Sequence, residues 1–150
     1  MRAVVQRVAS ASVTAGEYRA AIDRGLVVLV GVERDDGPED VTYIARKILE
    51  LRVFPSEDGS KEFDRNVCDI GGSLLVVSQF TLAADCRKGR RPAFDAAAPP
   101  DVARPLYESV VARLRDAGVA VATGVFQAMM HISLVNDGPV TMLLDSKKIF

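Results

Sequence analysis

The sequence contains only two cysteines and a single histidine in 150 residues. Cys68 and Cys86 form no CxxC pair, and no HExxH motif is present, so we expect no metal site. We expect both thiols to be reduced, because the sequence shows no sign of secretion. His131 alternates with apolar neighbours in a strand-like pattern, which favours a structural role. A Ser-His-Asp enzyme would have to use this one histidine.

Long apolar runs and common signature motifs are absent as well. The longest apolar run, 25–32, is far shorter than the ~20 residues of a membrane helix. The N-terminal residues carry no apolar core and no small-residue cleavage site, so we expect no signal peptide and a cytoplasmic location. There is no GxGxxG, no Walker A loop and no GxSxG elbow, which removes the usual signatures of nucleotide-binding and hydrolase folds.

Neither sign of charge dominates, since 19 Lys and Arg oppose 20 Asp and Glu for a formal net charge of −1. Overall charge therefore does not indicate a nucleic-acid partner, which would require a local basic patch. One such patch lies in an irregular segment expected over 83–100. It could hold phosphates or be a solvated charge cluster, and both interpretations stay open. The basic residues of this patch are Arg87, Lys88, Arg90 and Arg91.

The residues that are present have the pattern of one α/β domain spanning 1–150. Apolar residues make up 49% and charged residues 26%, which is typical of a globular domain. One helix is predicted after a cap at Asp36, with Pro38 in its first turn, and another over 101–116, with Pro105 inside it. We expect a strand-rich fold with mixed and antiparallel pairing and two helices packed on the sheet. The predicted strands cover 3–8, 11–14, 19–22, 26–32, 73–82, 119–125, 129–135 and 140–144.

Polar side chains follow the apolar run at 74–77. Ser78, Gln79 and Thr81 surround Phe80 at the end of the predicted strand, and strand ends are common site positions in α/β folds. A bend there would bring backbone N–H groups forward as oxyanion donors. The alternative is that these residues form only the solvated end of a strand.

Asn136-Asp137-Gly138-Pro139 lies between two predicted strands. Asp-Gly is favoured in hairpin turns, so a hairpin is one interpretation. The Gly138-Pro139 bond could instead be cis, in which case two successive carbonyls would point the same way. Those carbonyls could then read the geometry around a carbon atom of a small ligand.

Two blocks of sequence together resemble the D-aminoacyl-tRNA deacylases. They are Ser-Gln-Phe-Thr-Leu at 78–82 and Asn-Asp-Gly-Pro-Val-Thr at 136–141, and the likeness runs nearly from end to end. The resemblance implies a homodimeric enzyme without cofactor that cleaves the ester between a D-amino acid and the 3′ end of tRNA. It also implies glycine on tRNA as a substrate, with no membrane and no DNA partner.

The same resemblance assigns the catalytic role to Ser78, Gln79, Phe80 and Thr81. The hydroxyl of Thr81 has no histidine, lysine or aspartate beside it in the sequence, so it is a poor nucleophile. We therefore expect the backbone N–H of Thr81 to stabilise the oxyanion, in preference to covalent catalysis.

Other residues receive roles from the resemblance alone. In the family the Gly-Pro bond is cis and enters the active site of the other subunit, so Gly138 and Pro139 would exclude L-amino acids with their carbonyls. An arginine that matches Arg7 holds this motif. Phe126 and Met130 match the family's pocket for the terminal adenosine.

The chain departs from the family pattern at 61–66, where the family often has Lys-Met-Asn, and at Pro99 and Pro105. The first departure leaves the role of that loop open. Two other functions compete with deacylation: a tRNA-end binding paralogue without catalysis, and a metal-independent esterase that acts on non-RNA esters.

Overall fold

The computed structural model describes residues 1–150 and contains six strands and two α-helices. A single 3-10 turn, Phe80–Ala83, follows the fourth strand. No helix is both long enough and apolar enough to span a membrane. The elements in chain order are β1 (Arg2–Ala15), β2 (Tyr18–Ile22), β3 (Gly25–Gly31), α1 (Pro38–Glu50), β4 (Ser73–Ser78), α2 (Pro100–Asp116), β5 (Ala120–Thr123) and β6 (His131–Asp145).

The strands form one mixed sheet in the order β2-β1-β3-β4-β5, with β6 paired to the other side of β1. β1 is antiparallel to β2, β3 and β6, whereas β3, β4 and β5 run parallel. Parallel neighbours need long crossover connections, and α1 and α2 supply them. The two helices also pack against each other. This confirms the predicted α/β architecture.

Both faces of the sheet centre are covered. The larger apolar cluster lies beneath the two helices and includes Val28, Val30 and Val76. A smaller cluster on the opposite face includes Val27, Leu75 and Val77, which alternate with the first set along β3 and β4. This two-sided burial explains the uninterrupted apolar runs of these strands. The sheet curls far enough for the Tyr18 hydroxyl on β2 to donate to the Thr123 carbonyl on β5, at 2.8 Å.

Several predicted boundaries are wrong. The strands expected at 3–8 and 11–14 are one strand, β1, whose pairing with β6 shifts register near Val8. The strand expected over 73–82 ends at Ser78, where the chain turns into the 3-10 turn. The cap of α1 is Gly37, while the Asp36 carboxylate accepts the backbone N–H of Glu33 at 2.6 Å.

The hairpin interpretation of 136–139 is also wrong. The strands expected at 129–135 and 140–144 belong to one strand, β6, which pairs with β1 on both sides of this segment. The residues between Asn136 and Thr141 loop out of the ladder, because Asn136 pairs with Val8 whereas Thr141 pairs with Gln6. The loop is therefore a bulge in an edge strand and not the tip of a hairpin.

Candidate active site

The polar cluster predicted at the end of β4 lies at the carboxyl edge of the parallel strands. Ser78 is the last residue of β4, and the backbone N–H of Gln79 still donates to the Val30 carbonyl at 2.8 Å. The chain then leaves the sheet as the Phe80–Ala83 turn, which exposes Phe80 and Thr81. The first N–H groups of such a turn have no acceptor within it, so they are free to face a ligand.

The Thr81 hydroxyl accepts a hydrogen bond from the side-chain amide of Gln79. Neither a histidine nor a carboxylate contacts this hydroxyl. The one histidine, His131, is exposed and lies far from this hydroxyl. It pairs with Thr14 at one end of β1, whereas the turn is contacted by Arg2 at the other end of that strand. No group of this chain is therefore placed to remove the Thr81 proton, as a nucleophilic hydroxyl requires.

Gly31 lets the turn lie directly on β3. A Cβ atom at this position would be 2.8 Å from the Gln79 carbonyl oxygen and 2.9 Å from the Leu82 Cβ. Real Cβ atoms do not approach backbone so closely, so only glycine permits this contact. The height of the Phe80–Ala83 turn above the sheet is thus set by the missing side chain of Gly31.

A cavity of about 450 Å³ opens beside the turn, with mostly apolar walls. It brings together five residues that the sequence pointed to, and Thr81 stands at its margin without lining it. The five residues are Ser78, Gln79, Phe80, Phe126 and Met130.

One wall of this cavity is aromatic. The rings of Tyr107 and Phe126 lie 5.9 Å apart, and the Arg104 guanidinium sits 4.6 Å from the Phe126 centroid. The Tyr107 hydroxyl donates to the Val76 carbonyl at 2.9 Å, and burial raises the pKa of Tyr107, so this donor stays protonated. Sequence reasoning missed Tyr107. The sequence does contain a pattern that indicates it: Tyr107 precedes Val110 by three residues, which places both on the buried face of α2.

The Gly138-Pro139 loop lies outside this cavity and is exposed. Its Gly138-Pro139 peptide bond is cis, as the second interpretation of the sequence anticipated. Gly138 has φ of +122°, and a Cβ there would be 3.0 Å from Arg7 Nη2. The Asn136 side-chain amide donates to the carbonyls of Arg7 and Val140, both at 3.0 Å, which closes the base of the loop.

Arg7 is buried beneath the loop and uses all three of its guanidinium nitrogens. Its Nε donates to the Asp137 carbonyl at 3.1 Å and its Nη1 to the Val53 carbonyl at 2.7 Å. Its Nη2 donates to a carboxylate oxygen of Glu62 at 2.7 Å. The divergent segment 61–66 thus contributes a carboxylate to the support of the loop.

The basic segment begins just after the turn. Backbone bonds between Asp85 and Ala93 close it into a hairpin-like loop. Arg87 is bound through two nitrogens to the Asp85 carboxylate, which holds the pKa of Asp85 well below its usual range. The remaining cations form no ion pair and are exposed; they are Lys88, Arg90 and Arg91.

The chain is similar to known proteins along almost its whole length. The family model described as D-Tyr-tRNA(Tyr) deacylase matches residues 4–145. A D-aminoacyl-tRNA deacylase of Syntrophotalea carbinolica is 60% identical over 151 residues, covering 100% of both chains.

Two solved structures share the fold. One, described as a c-Myc DNA unwinding element binding protein, is 42% identical, has a TM-score of 0.90 and is matched over 97% of this chain and 98% of its own. The other, described as a probable eukaryotic D-amino acid tRNA deacylase, has a TM-score of 0.82 at 18% identity, over 95% of this chain and 97% of its own. The family match and the 60% identity decide the assignment: the chain belongs to the D-Tyr-tRNA(Tyr) deacylase family.

Proposed function

We propose that this chain hydrolyses the ester that joins a D-amino acid, or glycine, to the 3′ end of tRNA. Membership of the family makes it a hydrolase that acts on aminoacyl-tRNA. The observation that carries the finer proposal is the single cavity that joins the Ser78-Gln79-Phe80 segment to the aromatic wall of Tyr107 and Phe126.

The cavity suits the terminal adenosine of tRNA. Its volume of about 450 Å³ falls within the ~300–1,000 Å³ of small-molecule sites. Phe126 and Met130 offer apolar and aromatic contacts to a base, and bases bind proteins by stacking on such side chains. An adenosine held there would direct its ribose, and the ester on it, toward Gln79 and the Phe80–Ala83 turn.

Catalysis then depends on oxyanion stabilisation and on water held near the ester. An aminoacyl ester is already activated, so fixed donors and correct positioning supply much of the rate. The backbone N–H of Thr81 is the donor, while the Thr81 hydroxyl is held by Gln79 and takes no covalent part.

Selection against L-amino acids comes from a second copy of the chain. The loop that carries Gly138 and Pro139 is exposed and does not line the cavity of its own chain. The same edge strand exposes Val135 by 57% and Leu143 by 61%, which is the apolar surface that a dimer would bury. In the dimer, the carbonyls of Gly138 and Pro139 would collide with an L side chain and leave room for a D side chain or glycine.

The test is hydrolysis by the purified chain of D-Tyr-tRNA, L-Tyr-tRNA, Gly-tRNA and a free D-Tyr ester. We expect rapid release from the first and third and slow release from the second and fourth. Equal rates on the free ester would favour a general esterase, and binding without release would favour a non-catalytic paralogue. A fully active and selective monomer in light scattering would contradict selection across a dimer.

Thr81→Ala should keep kcat within about tenfold of wild type, far from the ~10⁶-fold loss that follows removal of a true nucleophile. The reason is that the Thr81 hydroxyl accepts a bond from Gln79 and meets no base. Single-turnover release of D-Tyr from tRNA measures this, with Thr42→Ala on the exposed face of α1 as the control. A loss on the million-fold scale would establish covalent catalysis instead.

The basic segment should contribute weakly to tRNA affinity. We expect log Kd for tRNA to vary with log salt with a slope of magnitude ~2–4, because few phosphates are neutralised. Replacing Lys88, Arg90 and Arg91 together by alanine should reduce this slope, whereas Arg87→Ala should change it less, since Asp85 already neutralises Arg87. Filter binding across a salt series is the measurement. An unchanged slope in the triple variant would remove this segment from the RNA path.

A further inference from the structure

Arg2 links the Phe80–Ala83 turn to two distant parts of the chain. Its Nη1 donates to the Leu82 carbonyl at 3.0 Å. Its Nε donates to the Asp145 carboxylate at 3.2 Å, and its Nη2 lies 3.2 Å from a carboxylate oxygen of Glu33. One guanidinium therefore holds the turn, the end of β6 and the loop after β3 in a fixed arrangement.

The turn needs such an external partner. It is only four residues long, and no N–H group within a helical turn donates to its last carbonyls. The Thr81 carbonyl is satisfied by the backbone N–H of Ala84 at 3.1 Å, whereas the Leu82 carbonyl relies on Arg2. Gly31 lies beneath the turn and the Phe94 ring packs 5.0 Å from the Phe80 ring, while Arg2 supplies the side-chain hydrogen bond to the turn's backbone.

Arg2 is itself held rigidly. The Asp145 side chain is buried and also accepts the backbone N–H of Lys147 at 2.7 Å. The backbone of Glu33 is fixed by the Asp36 carboxylate, which in turn binds the ammonium group of Met1. This distinguishes Arg2 from a mobile surface ion pair, which would restrain little.

We propose that Arg2 is a positioning residue for catalysis: by binding the Leu82 carbonyl, it fixes the backbone N–H of Thr81 at the place where the oxyanion forms. The assignment rests on the proposed function, in which this turn carries the oxyanion donor. Lysine cannot replace it fully, because an ammonium group lacks the planar fork that reaches a carbonyl and two carboxylates at once.

Arg65 provides a control with a similarly exposed side chain that also binds a backbone carbonyl. Its Nε donates to the Pro55 carbonyl at 2.9 Å, its Nη1 to the Glu57 carboxylate at 3.2 Å, and its side chain is 22% exposed against 26% for Arg2. Replacing either arginine by methionine removes a bond to a backbone carbonyl and contact with a carboxylate. Arg2 also leaves two largely buried carboxylates, Asp145 and Glu33, whereas the partner of Arg65, Glu57, is 88% exposed. Only the Arg2 variant releases the turn.

The experiment compares Arg2→Met, Arg2→Lys and Arg65→Met with wild type, using D-Tyr-tRNA. Arg2→Met should lower kcat by about 10²-fold with KM little changed, as a displacement near 1 Å produces in a catalytic group. Arg2→Lys should recover part of this loss, and Arg65→Met should keep the wild-type kcat. If Arg2→Met does not fold, Arg2→Met with Asp145→Asn removes the buried charge that it leaves behind.

Amide hydrogen exchange gives a readout that does not depend on turnover. In Arg2→Met the amides of 81–84 should exchange faster than in wild type, and in Arg65→Met they should not. Unchanged exchange together with a kcat equal to that of Arg65→Met would overturn the role of Arg2. Failure of wild type to release D-Tyr from tRNA would instead overturn the proposed function, whatever the exchange of the turn.

Discussion

Gly31→Ala should lower kcat on D-aminoacyl-tRNA by about 10²-fold or more, the scale expected when a catalytic group moves by about 1 Å. The new methyl group would meet the Gln79 carbonyl oxygen at 2.8 Å and the Leu82 Cβ at 2.9 Å. Because one of these contacts is with backbone, the whole Phe80–Ala83 turn must rise from β3. We expect a destabilisation of about 1–3 kcal/mol, typical of an overpacked site.

Gly37→Ala is the matched control for this variant. Gly37 precedes α1, has φ of −144° and would give a Cβ no neighbour within 4 Å. Its alanine variant should keep the wild-type kcat. Thermal unfolding measures any effect of this variant on stability. Equal kcat values for the two variants would mean that the height of the turn does not matter to the reaction.

Arg7→Met should weaken both the fold and the selectivity. The side chain loses bonds to two backbone carbonyls and to Glu62, and Arg7 is only 4% exposed. Hydrogen bonds from a charged group contribute about 1.5–3 kcal/mol each, so we expect a loss of about 3 kcal/mol or more in the free energy of unfolding. The Asp137–Pro139 segment would lose its support, and the D-to-L ratio of kcat/KM should fall by about tenfold, or about 1.4 kcal/mol.

Glu62→Gln tests the contribution of the Glu62 charge separately from that of the Arg7 hydrogen bonds. It keeps an acceptor for Arg7, and Glu62 is 60% exposed on its side chain, so its ion pair should contribute less than ~1 kcal/mol. Urea unfolding and paired assays on D-Tyr-tRNA and L-Tyr-tRNA measure both effects. A selective Arg7→Met enzyme would show that the loop keeps its position without the guanidinium.

Local patterns in the sequence predicted the sheet centre and the helices well. The strand at 26–32 could be predicted from its own residues alone, because a strand that is buried on both faces of a sheet is apolar throughout. The errors fell where side-chain bonding redirects the backbone. Asn-Asp-Gly-Pro has the composition of a hairpin turn. The Asn136 amide, however, binds the Arg7 carbonyl on β1 and the Val140 carbonyl at the other end of the segment, and β6 stays continuous.

Residue patterns alone predicted the candidate site only where its chemistry is contiguous, and the resemblance added Phe126 and Met130. Ser78, Gln79 and Phe80 follow one another in the chain, so their pattern was visible and the resemblance gave it a meaning. Arg2 reaches Leu82 across 80 positions, and no periodicity or local motif encodes such a contact. The Arg7–Glu62 pair escaped prediction for the same reason, since it joins β1 to a loop that departs from the family pattern.

The cavity shares its walls with the main apolar core. Val30, Val32 and Tyr107 line the cavity and also belong to the core cluster beneath α1 and α2. A substitution that reshapes this part of the cavity therefore also loosens the packing of α2 against the sheet. Under the proposed function, specificity should therefore change more freely at Gln127, which lines the cavity, is exposed and belongs to neither apolar cluster.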